Sequence, residues 1–431
     1  MKAAAILVVD SKVPMNHAST FPPESPTVDR LFDTAADLFW RQGYAATTTR
    51  EIATAFGIQQ ASLYHHMASK EDLLYRICVS SLEPFLEDAT AVRAECPLDR
   101  IKLLIRSHLT TLLRYQQRNV TQLTELRSLS PRHRTEVLRL RDKYEHFSRS
   151  ILKEAQAAGA IRSDVSAKFL NLELMSILNH AALWFRKGRA LTEDHLAEIF
   201  TKVFLEGGVK PGARRRLTLP DLTAHDKKPT RVRKTSITPD NPALARALDA
   251  AVGLFSRKGY AATSTREVAK LLGIQKATLY YHVESKEDLL FLICESALTK
   301  IRTDVEAAIR DRQDPVDRVQ TLISSHIESL LRDEAAHSTT FTEMHALSEK
   351  RFEQVMQLRD GYEHMVRAEL QKAQESGVLR QDIEAKYLSL VLLGITNRVM
   401  VWYRRGGPLS PGQVGRLLGV LFLEGAATSQ P

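Results

Sequence analysis

Histidines and carboxylates are the usual sources of acid–base chemistry, and in this chain His108, Glu125 and His146 could be paired that way. Nothing completes a catalytic set around them. There is no nucleophile motif, no phosphate-binding glycine loop and no cysteine–histidine spacing that fits a zinc site. No catalytic residue, cofactor or metal is therefore expected. One stretch stands out instead, residues 43–74 (GYAATTTREIATAFGIQQASLYHHMASKEDLL), because the chain contains it twice. It recurs at residues 259–290 as GYAATSTREVAKLLGIQKATLYYHVESKEDLL, an offset of 216.

The elements that must carry these residues are short helices. Thr48 and Glu51 form a capping box, the threonine oxygen accepting from the third backbone N–H while the glutamate reaches back; Ser264 and Glu267 repeat it. The helix that follows places Ile52, Ala53 and Phe56 on one face and stops at Gly57, which tolerates a left-handed turn. A second short helix covers Gln59–His66, and Ser69 caps a third, with Lys70 in its first turn. Before them, residues 27–42 carry Val28, Leu31, Phe32, Ala35, Leu38 and Phe39 on one stripe. Together they describe a three-helix helix-turn-helix unit, although a helical hairpin in an all-α core has the same bare pattern.

The stretch resembles the DNA-binding domain of the TetR family of bacterial regulators, over the whole three-helix unit and in both copies. That resemblance implies roles for matching positions. Gln59, Gln60, Ala61 and Ser62 would lie nearest the base edges, where Gln and Lys match donor and acceptor patterns and Ala or a Thr methyl meets the thymine methyl. Tyr64, His65 and Lys70 would contact phosphates, as would Thr49 and Arg50 at the start of the preceding helix. The second-copy equivalents are Gln275, Lys276, Ala277, Thr278, Tyr280, Tyr281, Lys286, Thr265 and Arg266. Leu63, Ile52, Leu279 and Val268 are expected in the core.

Length and composition agree with two such units. The chain has 431 residues, room for two domains of ordinary size, with few glycines and prolines for so long a chain. A net charge of +9 favours nucleic acid only weakly. The three cysteines make no disulfide framework; Cys78 and Cys294 are equivalent core positions. MKAAAILVVD is too short for a secretory signal, and no run of apolar residues is long enough to span a membrane, so the cytoplasm is the expected compartment.

In order, residues 1–25 read as a mobile leader, 26–74 as the first helix-turn-helix domain and 75–208 as a larger helical domain. Residues 209–241 form a linker, 242–290 the second helix-turn-helix domain and 291–427 the second helical domain. The fold class is all-α, two tandem TetR-like units. The offset rises to 218 in the larger domains, so two residues are inserted between Cys294 and Pro315. The linker holds nine Lys or Arg against three Asp, and its KKPTRVRK segment is either a solvated tether or a basic arm for the minor groove.

In the TetR family the larger domain binds a small effector and pairs two heads through its last two helices. These would be residues 164–186 with 192–207, and 382–404 with 410–425. A flexible linker of this length spans roughly 30 Å on average and at most about 100 Å, and tethering gives an effective concentration on the order of millimolar. An intramolecular pseudo-dimer on a double-stranded DNA operator is therefore expected, with a four-headed dimer of chains as the alternative. The segment NRVMVWYRRGGPLSPGQVGRLLGVLFLEGA (397–426) resembles a TetR subgroup that represses lipid and steroid catabolism genes and includes acyl-CoA responders. That implies a repressor released by a small apolar or CoA-linked effector; a constitutive DNA binder is the alternative. The candidate pocket residues are His108, Leu112, Leu126, Tyr144, Phe147 and Trp184, with His326, Leu330, Met344, Tyr362, Met365 and Trp402 in the second half. Such stripes are commonly plain core. Glu125 and Glu343 could instead pair with Arg141 and Arg359.

The copies differ where they would touch bases: Gln60 becomes Lys276, Ser62 becomes Thr278 and His65 becomes Tyr281. Two unlike heads predict an imperfectly palindromic operator.

Overall fold

The structure, a computed structural model, describes residues 26–186, 188, 191–208, 219–220 and 241–425. Among these residues every regular element is a helix and none is a strand. The leader and nearly all of the linker, KKPTRVRK included, lie outside the described residues.

The first half runs α1 (Pro26–Gln42), α2 (Thr49–Phe56), α3 (Gln60–Leu63), α4 (Lys70–Ala89), α5 (Pro97–Arg114), α6 (Gln116–Thr124), α7 (Pro131–Ala157), α8 (Ala167–Trp184) and α9 (Glu193–Glu206). The second repeats it as α10 (Pro242–Lys258), α11 (Thr265–Leu272), α12 (Lys276–Tyr280), α13 (Lys286–Ile309), α14 (Pro315–Arg332), α15 (Glu334–Glu343), α16 (Glu349–Glu375), α17 (Ala385–Asn397), α18 (Val399–Trp402) and α19 (Pro411–Glu424). Both capping boxes form as the residue types require. Gly57 and Gly273 close α2 and α11 at φ 86° and 70°, a conformation that costs a side-chain-bearing residue free energy.

The two inserted residues do not lengthen the loop. α13 runs one turn longer than α4, and the connector to the next helix shortens to compensate. A whole added turn keeps the apolar stripe of α13 facing the same core, which an insertion of two inside the helix would not.

Three apolar cores result. One lies in each head and extends onto the first turns of α7 or α16, through Val137 and Leu140 or Val355. The third is continuous across the halves, joining Leu174, Ile177, Phe200 and Phe204 of the first to Leu388, Leu392, Leu421 and Phe422 of the second. α8 packs on α17 and α9 on α19. Charged groups close its rim. Arg162 faces Glu424 at 3.3 Å, and Arg380 meets Glu206 at 3.1 Å, the same pair in the opposite direction.

Candidate nucleic-acid interface and ligand cavity

In each head the short helix after the glycine turn stands against the start of the preceding one. α3 is only four residues long and α12 five, so Tyr64, His65 and His66 continue in turns rather than in the expected helix. Leu63 and Leu279 anchor these elements in the head cores with no exposure, as do Ile52 and Val268. Gln59, Ala61, Tyr64, His65 and Arg50 are exposed on one side, matched by Gln275, Lys276, Ala277, Thr278, Tyr280, Tyr281 and Arg266. Tyr281 is 86% exposed, a large aromatic ring left on the surface.

The heads differ in how this surface is held. Gln60 is half-buried, its Nε2 donating to Thr49 Oγ1 at 2.9 Å. Lys276 at the same position has no such bond and lies 5.2 Å from the Tyr280 ring centroid, while Tyr280 Oη pairs with Thr265 Oγ1 at 3.2 Å. Thr265 is thereby buried, and Thr49 and Ser62 are half-buried. Thr265 thus supports Tyr280.

Lys70 and Lys286 make bonds within their own heads. The Lys70 ammonium donates to the Tyr44 and Thr47 carbonyls at 2.9 and 2.8 Å and lies 4.3 Å from the Tyr44 ring centroid. Lys286 donates to the Tyr260 carbonyl at 3.0 Å and lies 4.1 Å from that ring. Burial holds both lysine pKa values below the ordinary range. These ammonium groups close the turn after the first helix of each head.

The heads are tied to the larger domains at matching points. Glu71 accepts from the Ser130 N–H at 2.8 Å and sits 2.9 Å from His133 Nδ1. Glu287 accepts from the Ser348 N–H at 2.9 Å. One link occurs in the first half alone: Arg118 of α6 donates to Asp33 and Asp29 of α1 at 2.6 and 2.9 Å, where the second half has Ala336. At the end of α6, Glu125 accepts from the Tyr44 N–H at 3.4 Å and Ser128 Oγ at 3.1 Å. The expected partners for the glutamates are therefore wrong. Glu125 satisfies a backbone donor, and Glu343 pairs with Arg127 of the other half.

A cavity of about 580 Å³ lies beside α6 in the first half. His108, Leu126 and Tyr144 line it, with Phe85, Asn119 and Gln122. Its roof comes from the second half: Arg398, Trp402 and Tyr403. Arg398 sits where α17 breaks before α18, an irregular step at which the equivalent α8 is unbroken. Trp402 therefore serves the cavity of the other half, not its own. Trp184 is not among the lining residues, Leu112 and Leu330 are closed into the shared core, and Phe147 and Met365 pack at its edge. Met344 belongs to the core of the second head, and Tyr362 is buried against His326.

The cavity is basic and its polar atoms are incompletely used. Arg134, Arg141, Lys168, Arg398 and Arg404 line it against Asp142 and Glu145. Neither Arg141 nor Arg398 forms an ion pair among the described residues. Burial, and then the neighbouring Arg141 guanidinium, push the Arg398 pKa down to about 9, which leaves it charged at neutral pH. Gln122 Nε2, His108 Nε2 and Trp402 Nε1 are buried without a hydrogen-bond partner, and Asn179 stands beside His108. Buried donors and unpaired cations cost stability unless something satisfies them. Sequence reasoning missed both arginines as a pair, because no spacing rule brings residues 141 and 398 together.

Among the described residues no group of side chains is arranged to hold a metal ion, and no helix is long and apolar enough to cross a membrane.

The family profile for bacterial regulatory proteins, tetR family, matches residues 31–77 and 247–293. The profile for the tetracyclin repressor-like C-terminal domain matches residues 94–208 and 312–426. The chain is 29% identical over 196 residues to the HTH-type transcriptional repressor KstR2 of Rhodococcus jostii (strain RHA1), covering 42% of this chain and 90% of that protein. It is 26% identical over 179 residues to KstR2 of Mycobacterium tuberculosis (strain ATCC 25618 / H37Rv), covering 41% and 90%. Among solved structures, the TetR family regulator PfmR from Thermus thermophilus matches at 30% identity and TM-score 0.39, over 41% of this chain and 96% of that one. Each relative accounts for one half, whereas both profiles match twice: the chain belongs to the TetR family of bacterial transcriptional regulators, as two units in tandem.

Proposed function

We propose that this regulator is a repressor that works as an intramolecular pseudo-dimer, its two unlike heads reading the two halves of an imperfectly palindromic operator. The observation that carries the reading is the apolar core built jointly by both halves, with Arg162 and Arg380 making reciprocal contacts across it. A core shared at this depth resembles a permanent interface. Base contacts are assigned to Gln59, Gln60, Ala61 and Ser62 and to Gln275, Lys276, Ala277 and Thr278. Backbone contacts are assigned to Arg50, Tyr64, His65, Arg266, Tyr280 and Tyr281, with Thr49 and Thr265 as supports.

Release from DNA is assigned to an effector in the first-half cavity. α6 supplies Asn119 and Gln122 to that cavity and Arg118 to the first head, so a ligand displacing α6 moves α1 directly. An apolar body with an anionic group fits the lining, and an acyl-CoA thioester is the leading candidate. KstR2, a repressor by name, supports the direction of control.

Selection of bound DNA from a random pool tests the reading. The expected result is one site with two related, unequal half-sites, bound by a species of one chain mass in light scattering. A species of two chain masses at low concentration would replace it with the four-headed assembly. Hexanoyl-CoA should raise the unfolding temperature and lower DNA affinity; a panel of acyl-CoAs with neither effect would favour constitutive binding.

A further inference from the structure

We infer that the chain binds one anionic, partly apolar ligand, in the first-half cavity alone, because the second half has turned the equivalent site into filled core while keeping the arginine that roofs the first. The inference rests on the effector reading and specifies its stoichiometry and polarity.

The position-by-position comparison carries it. Arg398, the roof cation, corresponds to His180 at the offset of 218. His180 is 6% exposed and packs on Gly394, where a Cβ would lie only 2.9 Å from the His180 Cβ. Gly394 in turn corresponds to Ser176, which lines the first cavity. The pair that bounds open space in one half is thus in van der Waals contact in the other. Burial pushes the His180 imidazole down to about 3, so it offers no charge at neutral pH.

The polar atoms follow the same division. His108 Nε2 has Asn179 beside it but makes no hydrogen bond, whereas its counterpart His326 Nε2 meets the equivalent Asn397 Oδ1 at 3.2 Å. Gln122 Nε2 is open, whereas its counterpart Thr340 bonds back to the Ala336 carbonyl at 2.9 Å. Arg134 becomes Phe352, so a second basic position is lost along with Arg398. The changes at Arg398, Arg134 and Gln122 each remove a cation or an unsatisfied donor, whereas Trp184 Nε1, the counterpart of Trp402 Nε1, is unpartnered as well. The first half retains both, and unpaired buried donors facing a cavity are costs that a bound anion would offset.

Two identical subunits could not divide labour in this way, since any roof arginine would appear in both sites. Fusion makes the two sites independently variable. The ligand it points to carries a carboxylate, sulfonate or phosphate between Arg141 and Arg398. Its apolar portion lies against Trp402 and Phe169, whose rings are 6.4 Å apart.

Titration of the intact chain with anilinonaphthalene sulfonate, an apolar aromatic anion, tests this. Binding should saturate at one probe per chain. Arg398→Met should weaken it roughly tenfold to a hundredfold, the loss of a charge-assisted contact, while His180→Met leaves it unchanged. Because Arg398 has no counter-ion, Arg398→Met should melt at the same or a higher temperature; a lowered midpoint would assign the arginine to the fold and overturn the inference. Two equal sites, no binding, or unchanged binding in Arg398→Met would each overturn it. DNA affinity measured in parallel separates the two readings. A single site that leaves DNA binding unaltered keeps this inference and removes the effector role, whereas two sites that release DNA do the reverse.

Discussion

Arg380 Nη1 donates to the Gly207 carbonyl at 3.1 Å, joining the approach to α17 in the second half to the end of α9 in the first. Arg162 Nη1 makes the matching bond to the Gly425 carbonyl at 3.4 Å. Between these arginines the two glycines lie back to back, so that a Cβ on Gly207 would strike the Leu423 carbonyl and one on Gly425 would come within 2.5 Å of the Gly207 nitrogen. The halves meet there through bare backbone.

Gly207→Ala should consequently destabilise the whole chain. Its φ of +76° is already unfavourable for alanine, and the new methyl meets backbone that cannot rotate away. A loss of about 2–4 kcal/mol is expected, read as a lowered unfolding midpoint, and Gly425→Ala should behave alike. Gly57→Ala, where φ is as positive but nothing lies within 4 Å, should cost only the smaller backbone strain.

Arg118 should matter to one head only. It is almost fully buried while Asp29 and Asp33 are more than half exposed, so the network is worth about 1 kcal/mol after solvent screening. Arg118→Met should speed amide exchange in α1 roughly fivefold and leave α10, which faces Ala336, unchanged. Equal acceleration in both heads would show that α6 does not hold the first head by these ion pairs.

Acid should unfold the protein through its buried imidazoles. Burial pushes His108, His180 and His326 down to about 3 and His337 to about 4, all below the unfolded value of 6.5. The unfolded chain therefore binds more protons in this window, and stability falls as pH drops from 6.5 towards 4. Glu173 acts in the opposite sense: burial raises it to about 8, so it is protonated in the native state and destabilises as pH rises from 4.5 through 8. Glu173→Gln should melt higher than the parent chain at about pH 8.5 and differ little at about pH 5. A constant difference across both would refute the assignment.

The heads should be separable by one residue. Thr49 orients the Gln60 amide, whereas Lys276 is exposed with its ammonium 5.2 Å from the Tyr280 ring centroid. Gln60→Lys should make the selected operator more symmetric, favouring guanine opposite both positions by about 1–3 kcal/mol. A parent site that is already perfectly palindromic would show that these side chains do not read bases.

The three-helix heads were legible because their signals are local. A capping box, a glycine stop and an apolar stripe each act within a few residues, and the second copy repeated them at a fixed offset. The helical class and the pairing helices followed from the same periodicity and from the family resemblance. The bonds of Lys70 were not legible for the converse reason: they go to the carbonyls of Tyr44 and Thr47, and a sequence does not say where a long side chain will find an unpaired acceptor. The cavity was the least legible part. Its candidate residues were drawn from one half at a time, but Arg398 and Trp402 cross to the other half because α17 breaks at Arg398 and the two halves share a core. Sequence alone determined the helices, their caps and their duplication, all set by interactions between near neighbours. Only the tertiary structure decided which half roofs the cavity, which glycines must stay bare and which charges remain unpaired, since these depend on residues brought together from opposite ends of the chain.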